Sequence, residues 1–484
     1  MISSKAIDLI STFSETEFKE FGLFTASPFF NREAIQLKFY EILKKYYPSF
    51  ESKNFDKEKV FARLYPGKKY NDGVMRNILS KTLELAESYL TVKRQQLNEF
   101  ESTAALMREL SERKMVKLFE RAELNAMELL DNSSAKNEEY FYRNFVLLNE
   151  KRKFISNLKS SLYSSNDLLK KGAENLTISF LISMLRSETN IANSNLSMFR
   201  FERDSALSEL EVYIDKEIVK FPDVIYLQYY YNAFKLSRTQ DEKYFYELKS
   251  IVYQSYDKFR DEDRKDIFTI LTNYCYFKVN KGDLNFRKEQ FLLFKENIER
   301  GYYKGSRKYL DHIQYLNVVV TGLEAGESLW VEGFIEKYKP ELDETNRENS
   351  YNFSRALVFY HKAQFNEALN MAAKVKTDDL SYKHQLKSIY LKIYYDMNEI
   401  EPFYSHVDSY RHFLLNEKHI PELTRSVINS YVNYTKKLFD IKNRIEEKDF
   451  DLYKIRKEIS DNRSMINKSW LLERIDRIEK SLHK

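Results

Sequence analysis

The scarcity of glycine and proline most constrains what this chain can fold into. Its 484 residues include 10 Gly and 7 Pro, whereas average usage of about 7% and 5% would supply several times as many. Sheets and hairpins depend on such residues in their turns, while helices joined by short polar loops need few of them. Hydrophobic residues make up 43% of the chain, which is enough to form a folded core. The composition therefore predicts an all-α protein.

The first hundred residues predict a small, compact helical unit. Ser14 and Glu17 have the spacing of a capping box, in which each side chain bonds the other residue's backbone amide. Apolar residues then recur at helical spacing, with prolines between the segments and a new helix start at Asn71. From Leu90 to Glu128 almost no helix breaker occurs, so we expect one or two long helices there.

Beyond about residue 136, helical stretches alternate with short polar breaks. Comparable breaks occur at Gly282, Gly326, Ala363 and Asn398, at intervals of 44, 37 and 35 residues. Intervals that drift in this way are typical of helical-hairpin solenoids, because each repeat packs only on its neighbours and tolerates changes in its loops. A large irregular helical bundle of the same composition is the alternative.

These patterns divide the chain into three expected regions. We assign residues 1–100 to the compact N-terminal unit, residues 101–420 to linking helices and the hairpin array, and residues 421–484 to C-terminal capping helices. An array needs a cap with a polar outer face at its end. The capping region carries apolar residues at helical spacing in two segments, at Leu452, Ile455, Ile459, Ile466, Trp470, Leu471, Ile475 and Ile478.

A pattern of small and aromatic residues marks residues 349–382. Ala356 and Ala368 are small where two paired helices would touch, and Phe359 and Phe365 are aromatic beside them. A small residue lets two helix backbones approach, while an aromatic ring fills the adjacent groove. This stretch resembles a tetratricopeptide repeat, which is a 34-residue helix pair.

Residues 384–417 resemble the same repeat less closely, since Leu391 and Phe403 stand where the family has small residues. The chain as a whole resembles uncharacterised helical proteins of bacteria. The tetratricopeptide resemblance implies a TPR-like solenoid whose inner groove holds a protein or peptide partner. The residues that it places at this groove as partner-binding candidates are Tyr360, His361, Lys392, Tyr395 and Asp396, with Ser388 beside them.

Two further groove positions, Phe353 and Leu357, are expected to pack against a neighbouring helix instead. The one cysteine, Cys275, excludes an intrachain disulfide. It lies within an apolar helical stripe, so we expect a buried and unreactive thiol.

The N-terminus has neither the basic start nor the apolar core of a signal peptide, and no stretch approaches the ~20 apolar residues of a membrane span. A cytoplasmic protein without a membrane partner is expected.

Motifs that carry reaction or cofactor chemistry are incomplete in this sequence. The stretch Gly67-Lys68-Lys69 resembles the end of a phosphate loop, but Ala62 stands where the earlier glycine belongs and no hydroxyl residue follows the lysine. His406 and His412 are six residues apart, about 600° around a helix, and so point in different directions. We therefore expect no cofactor, no metal and no enzymatic activity, although scattered catalytic residues would leave no local motif.

The leading functional hypothesis is a non-enzymatic interaction scaffold. The rival is a bacterial regulator with a helix-turn-helix-like N-terminal unit that binds nucleic acid and a repeat domain that acts as its sensor. Residues 1–100 contain 16 basic and 13 acidic side chains, a small excess for an interaction driven by phosphate contacts. The basic residues that this rival would use are Arg63, Lys68, Lys69, Arg76 and Lys81.

Overall fold

The computed structural model describes residues 2–158, 163–196, 210–304, 308–376, 380–443, 452–462 and 465–482. Within these ranges the protein is helical and has no β-strand; an isolated bridge joins Leu310 and Leu342. The predicted all-α class is confirmed. None of the described helices combines the length and the apolar character needed to cross a membrane.

The described helices follow one another with short connections. The first are α1 Lys5–Ser11, α2 Glu15–Ala26, α3 Ala34–Leu43, α4 Lys57–Leu64, α5 Asp72–Leu97, α6 Glu99–Glu112, α7 Val116–Asp131 and α8 Glu138–Asn157. They continue with α9 Tyr163–Leu196, α10 Glu211–Ile218, α11 Ile225–Thr239, α12 Glu242–Ser255, α13 Asp261–Asn280, α14 Asn285–Glu299, α15 His312–Glu324 and α16 Ser328–Tyr338. The last are α17 Glu344–His361, α18 Phe365–Ala372, α19 Leu380–Met397, α20 Ile400–Asn416, α21 Glu422–Asn443, α22 Leu452–Asp461 and α23 Lys468–Leu482.

The chain divides into two compact units. The first comprises Met1–Ser133 and Tyr142–Asn175, and the second comprises Ser134–Phe141 and Leu176–Lys484. Helices α8 and α9 therefore each contribute residues to both units. All the candidate groove residues belong to the second unit.

In the first unit, the local helix signals of the sequence are found where they were expected. The Ser14 hydroxyl accepts the Glu17 amide at 3.2 Å, and the Glu17 carboxylate accepts the Ser14 amide at 2.8 Å. Asn71 caps α5 in the predicted way. The expectation of one or two long helices between Leu90 and Glu128 is wrong, because the chain breaks at Asn98 and again at Lys114, whose φ is 56°.

In the second unit, successive helices pack as pairs: α11 on α12, α13 on α14, α15 on α16, α17 on α18 and α19 on α20. Each pair is joined through one residue with left-handed backbone. The four breaks read from the sequence are such residues, and Gln240, which was not among those four, is a fifth. Their φ values are 59° at Gln240, 97° at Gly282, 81° at Gly326, 56° at Ala363 and 60° at Asn398.

Contacts between the pairs place the first helices of neighbouring pairs side by side. Helix α15 contacts α17, and α17 contacts α19, while each second helix also contacts the first helix of the next pair at α14–α15, α16–α17 and α18–α19. Ala356 and Ala368, the small residues of the 349–382 stretch, are fully buried between α17 and α18. This arrangement puts the C-terminal ends of α17 and α19 next to each other.

Candidate functional site

The candidate groove residues lie on the last turns of α17 and α19, and helix α23 covers most of them. Tyr360 is at the end of α17, while Lys392, Tyr395 and Asp396 lie along α19. Helix α23 is amphipathic, and its buried side faces these residues as well as α21 and α22. The chain's own C-terminal helix thus occupies the surface at which a partner was predicted.

The centre of the site is an ion pair between Asp396 and Arg474. Asp396 Oδ2 accepts hydrogen bonds from Arg474 Nη2 and from the Tyr360 hydroxyl, each at 2.6 Å. Trp470 Nε1 donates to the Tyr360 oxygen at 2.8 Å. The side chains of Arg474 and Asp396 are only 6% and 10% exposed. Helix α23 is therefore fastened to α17 and α19 through desolvated, charge-assisted contacts, which are stronger than exposed ones.

The protonation states of this cluster follow from its burial and charges. Burial and the adjacent Asp396 raise the pKa of Tyr360 far above its usual value, so the hydroxyl remains a donor. Burial by itself would lower the pKa of Arg474, but Tyr360 and Asp396 raise it overall. Arg474 therefore remains a cation.

Lys392 contacts Trp470 on α23 and Asn467, which lies in the turn just before that helix. Its Nζ donates to the side-chain oxygen of Asn467 at 2.8 Å and lies 5.7 Å from the centre of the Trp470 ring. Among the described residues, no carboxylate lies within ion-pairing distance of this ammonium group. Burial lowers the pKa of Lys392 to about 8, against the opposing charge of Glu324. Asn467 in turn donates to Ser388 at 3.3 Å.

Tyr395 is a core residue of the interface between α19 and α23. Its ring centre is 5.2 Å from that of Trp470, in an edge-to-face arrangement, and the residue is 2% exposed. Lys442 on α21 lies 5.1 Å from the same ring. The Tyr395 hydroxyl is buried and finds no hydrogen-bond partner among the described residues. Tyr395 thus supplies apolar contact area for α23.

His361 is the candidate residue that α23 leaves exposed. It is the last residue of α17, and its ring centre is 5.9 Å from that of Tyr360. The neighbouring protein removes water from one side of the imidazole, and Lys392 lies nearby, so the pKa of His361 is lowered. The ring is therefore neutral at physiological pH and free to accept or donate a hydrogen bond at the rim of the site.

The sequence reading missed Asn467, Trp470 and Arg474 as partners of the groove. For Arg474 the sequence does contain a signal of a buried contact. Arg474 stands four residues after Trp470 and next to Ile475, inside the apolar stripe of α23. A charged residue at such a position must find a buried partner, but the sequence does not reveal that the partner is Asp396.

The basic residues of the rival hypothesis lie in the first unit, and three of the five have local partners. Arg76 pairs with Asp72 at 2.9 Å, Lys81 pairs with Glu33, and Arg63 donates to the Tyr46 hydroxyl at 2.7 Å. Lys68 and Lys69 are exposed. The ion pairs of Arg76 and Lys81 reduce the positive charge that a phosphate backbone would meet.

The side chains considered for metal or thiol chemistry lie apart from this site. His406 Nε2 bonds to the Lys387 carbonyl oxygen at 2.8 Å, and His412 Nδ1 bonds to the Asp408 carbonyl oxygen at 2.8 Å. In the described ranges, no group of three His, Cys, Asp or Glu side chains is placed to hold a metal. Cys275 is fully buried, and burial raises the pKa of its thiol far above the usual range.

Comparison with protein-family models, with curated proteins and with solved structures finds no match to this chain. The functional interpretation therefore depends on the geometry of the site itself.

Proposed function

We propose that this protein is a cytoplasmic, non-enzymatic interaction scaffold. Its second unit would be a TPR-like solenoid, in which the first helices of successive hairpins form a groove for a helical segment of a protein partner. One observation carries the proposal: side chains at the groove positions, Tyr360 and Asp396, hold an amphipathic helix through Trp470 and Arg474. A surface that holds one helix of this kind has the chemistry to hold another.

The contacts are those of helix-in-groove recognition. Such sites bind the apolar face of an amphipathic helix through anchors spaced three or four residues apart. Tryptophan and arginine are the residues that most often dominate binding energy when they are enclosed and desolvated. Trp470 is 9% exposed and Arg474 is 5% exposed, so both meet this description in their contact with α17 and α19.

The proposal is tested by affinity capture of the full chain from lysate of its own source, with and without nuclease, read by mass spectrometry. We expect a stoichiometric protein partner that survives nuclease treatment and moderate salt. Asp396→Asn should reduce its capture at least tenfold, because a partner helix in the place of α23 would anchor a basic residue on this carboxylate as Arg474 does. Asp408→Asn makes the same change at an exposed position of α20 and should leave capture unchanged.

Two results would contradict the scaffold. One is co-purifying nucleic acid with partners that disappear after nuclease treatment, which would favour the regulator and direct attention to the first unit. The other is a protein partner whose capture responds equally to the variants at Asp396 and Asp408, which would place the binding surface outside the groove.

A further inference from the structure

Helix α7, in the first unit, carries four charged residues around one leucine on a single exposed face. In chain order these residues are Lys117, Arg121, Leu124, Glu128 and Asp131, and all five are exposed. Their spacing of four, three, four and three residues keeps them on one side of the helix. We call this set the α7 stripe. Its first half is basic and its second half is acidic.

The polarity of the α7 stripe is unfavourable for the helix that carries it. The helix dipole favours acidic side chains in the first turn and basic ones in the last, but α7 has no acidic residue in its first turn and no basic residue in its last. Lys117 and Arg121, one turn apart, repel each other, as Glu128 and Asp131 do. None of the four forms an ion pair among the described residues. Helix α7 therefore leaves these charges uncompensated.

Apolar surface lies at the centre of the stripe and beside it. Leu124 is 66% exposed, and Leu118 on α7 and Leu106 on α6 are both exposed as well. All three line an open cleft between the two helices, to which Arg121 and Glu128 also contribute. Exposed apolar side chains that lie together, with polar residues around them, are typical of interaction surfaces.

The α7 stripe is complementary to itself. A two-fold axis that brings residue i of one copy to residue j of another also brings j to i. If the axis passes beside Leu124, two α7 helices lie antiparallel and their Leu124 side chains meet. Arg121 then faces Glu128 of the second copy, and Lys117 faces Asp131, because these pairs are centred on Leu124. A parallel arrangement would instead bring like charges together.

We infer that two copies of this chain associate through the α7 stripe, as an antiparallel pair of α7 helices. The contact has an apolar centre at Leu124 and charged residues around it, which is the usual arrangement of protein–protein interfaces. Each of the two kinds of ion pair occurs twice. The antiparallel neighbour also opposes the dipole of α7. The α7 stripe belongs to the first unit, so this pairing is independent of the partner groove in the second unit.

The test is sedimentation equilibrium of the full chain over a range of protein concentrations. We expect reversible dimers with a dissociation constant of about 1 to 100 µM, because a contact between two helices is small for a specific interface. Arg121→Glu and Glu128→Arg should each weaken the dimer about tenfold or more, since each variant turns two attractive pairs into two repulsive ones. Both residues are exposed, so the helix content measured by circular dichroism should not change.

Mixing the two variants tests the antiparallel pairing itself. Each variant repels its own copies, but a pair of Arg121→Glu with Glu128→Arg has opposite charges at both contacts. We therefore expect the equimolar mixture to associate about as tightly as the natural chain. Arg94→Glu and Glu84→Arg are the matched controls. They make the same charge changes at exposed residues of α5 and should leave the association unchanged.

Neutral variants keep the test valid if a charge reversal disturbs folding. Should Arg121→Glu or Glu128→Arg lose helix content, Arg121→Gln and Glu128→Gln replace them. Each should weaken the dimer about threefold, and the mixture should recover part of the loss, because it restores one of the two ion pairs.

Four results would overturn the pairing. A natural chain that stays monomeric up to about 100 µM would leave the α7 stripe to a different protein. A dimer that neither variant weakens would use another surface. A mixture that associates no better than either variant alone would mean that Arg121 and Glu128 do not face each other. Equal weakening by the α5 controls would attribute the effect to net charge.

Discussion

At the residue scale, the left-handed turn residues between paired helices are only partly recognisable from the sequence. Gly282, Gly326 and Asn398 belong to residue types that favour left-handed backbone, so their positions were readable. Gln240 and Ala363 adopt the same backbone with φ values of 59° and 56°, although their side chains disfavour it. The break at Ala363 was readable because it interrupts the helical pattern. At Gln240 the pattern Thr239-Gln240-Asp241-Glu242 indicated the start of a helix, which Asp241 caps, but not the left-handed residue itself.

The strain at Ala363 leads to a stability prediction. Replacing it with glycine should stabilise the second unit by about 0.5 to 1 kcal/mol, since relief of the left-handed penalty exceeds the added freedom of the unfolded chain. Both tryptophans, Trp330 and Trp470, belong to the second unit. Urea unfolding followed by tryptophan fluorescence therefore measures the change.

Gly326→Ala is the control for this substitution. A Cβ at Gly326 would meet no atom within 4 Å, so its cost comes from the backbone alone and should be about 1 kcal/mol in the opposite direction. If the urea midpoint of the Ala363→Gly variant is at or below that of the natural chain, Ala363 is not strained.

Two half-buried histidines, His384 and His406, predict a pH dependence of stability. His406 bonds to the Lys387 carbonyl oxygen and His384 bonds to the Tyr410 hydroxyl. Burial lowers the pKa of each to about 4, from an ordinary value of 6.5. Between pH 6.5 and 4 the unfolded chain therefore binds more protons than the folded chain. Stability is complete above pH 6.5 and falls with pH by up to about 1.4 kcal/mol per unit for each histidine.

The check is the same urea unfolding, repeated at several values between pH 4 and 7. The double variant His384→Asn and His406→Gln keeps hydrogen-bonding atoms near Nδ1 and Nε2 and removes both titrations. Its slope over this window should be clearly shallower than that of the natural chain. Parallel slopes would mean that these rings are not the groups that titrate on unfolding.

At the element scale, amphipathic periodicity predicted a helix over residues 466–478, and α23 confirms it from Lys468 onward. Periodicity identifies the apolar side of a helix but not the surface on which it packs, because most apolar surfaces are chemically alike. The docking of α23 on α17 and α19 is specified by long-range polar pairs such as Arg474 with Asp396, which are 78 residues apart. Such pairs are not readable from one sequence.

The pairing of Arg474 with Asp396 should be measurable as a coupling energy. In a double-mutant cycle with alanine at both positions, we expect about 2 kcal/mol or more, because removing either partner leaves a buried group unpaired. The exposed pair Lys243 and Glu247 on α12 is the control, with side chains that are 65% and 45% exposed. Its coupling should be about 0.5 kcal/mol or less. Equal coupling in both cycles would mean that α23 is not held by this ion pair.

At the scale of the whole molecule, composition was enough to predict the helical class, because the low content of glycine and proline limits the turns that the whole chain can form. The four helix breaks beyond residue 280 were also readable, since each interrupts a strong periodicity. The division into two compact units falls within α8 and α9, which are continuous helices. No turn residue or change in composition marks such a place, since the division follows from long-range contacts.

The last prediction concerns nucleic acid and uses the whole chain. Salt dependence reports the number of phosphate contacts, with a slope of about −0.9 per contact on duplex DNA. Of the five basic residues proposed for such contacts, Lys68 and Lys69 are the two that form neither an ion pair nor a side-chain hydrogen bond among the described residues. Arg63 is also without an ion pair, but it donates to the Tyr46 hydroxyl. We therefore expect weak binding of duplex DNA, with a slope no steeper than about −2 in log affinity against log salt.

Fluorescence anisotropy of a labelled duplex over a salt series measures this slope. Lys68→Glu with Lys69→Glu should abolish the residual binding, whereas Arg76→Gln should change it little, because Arg76 already pairs with Asp72. A slope of about −5 or steeper would require several more phosphate contacts than these two lysines provide. It would make the first unit a nucleic-acid reader and reverse the order of the two functional hypotheses.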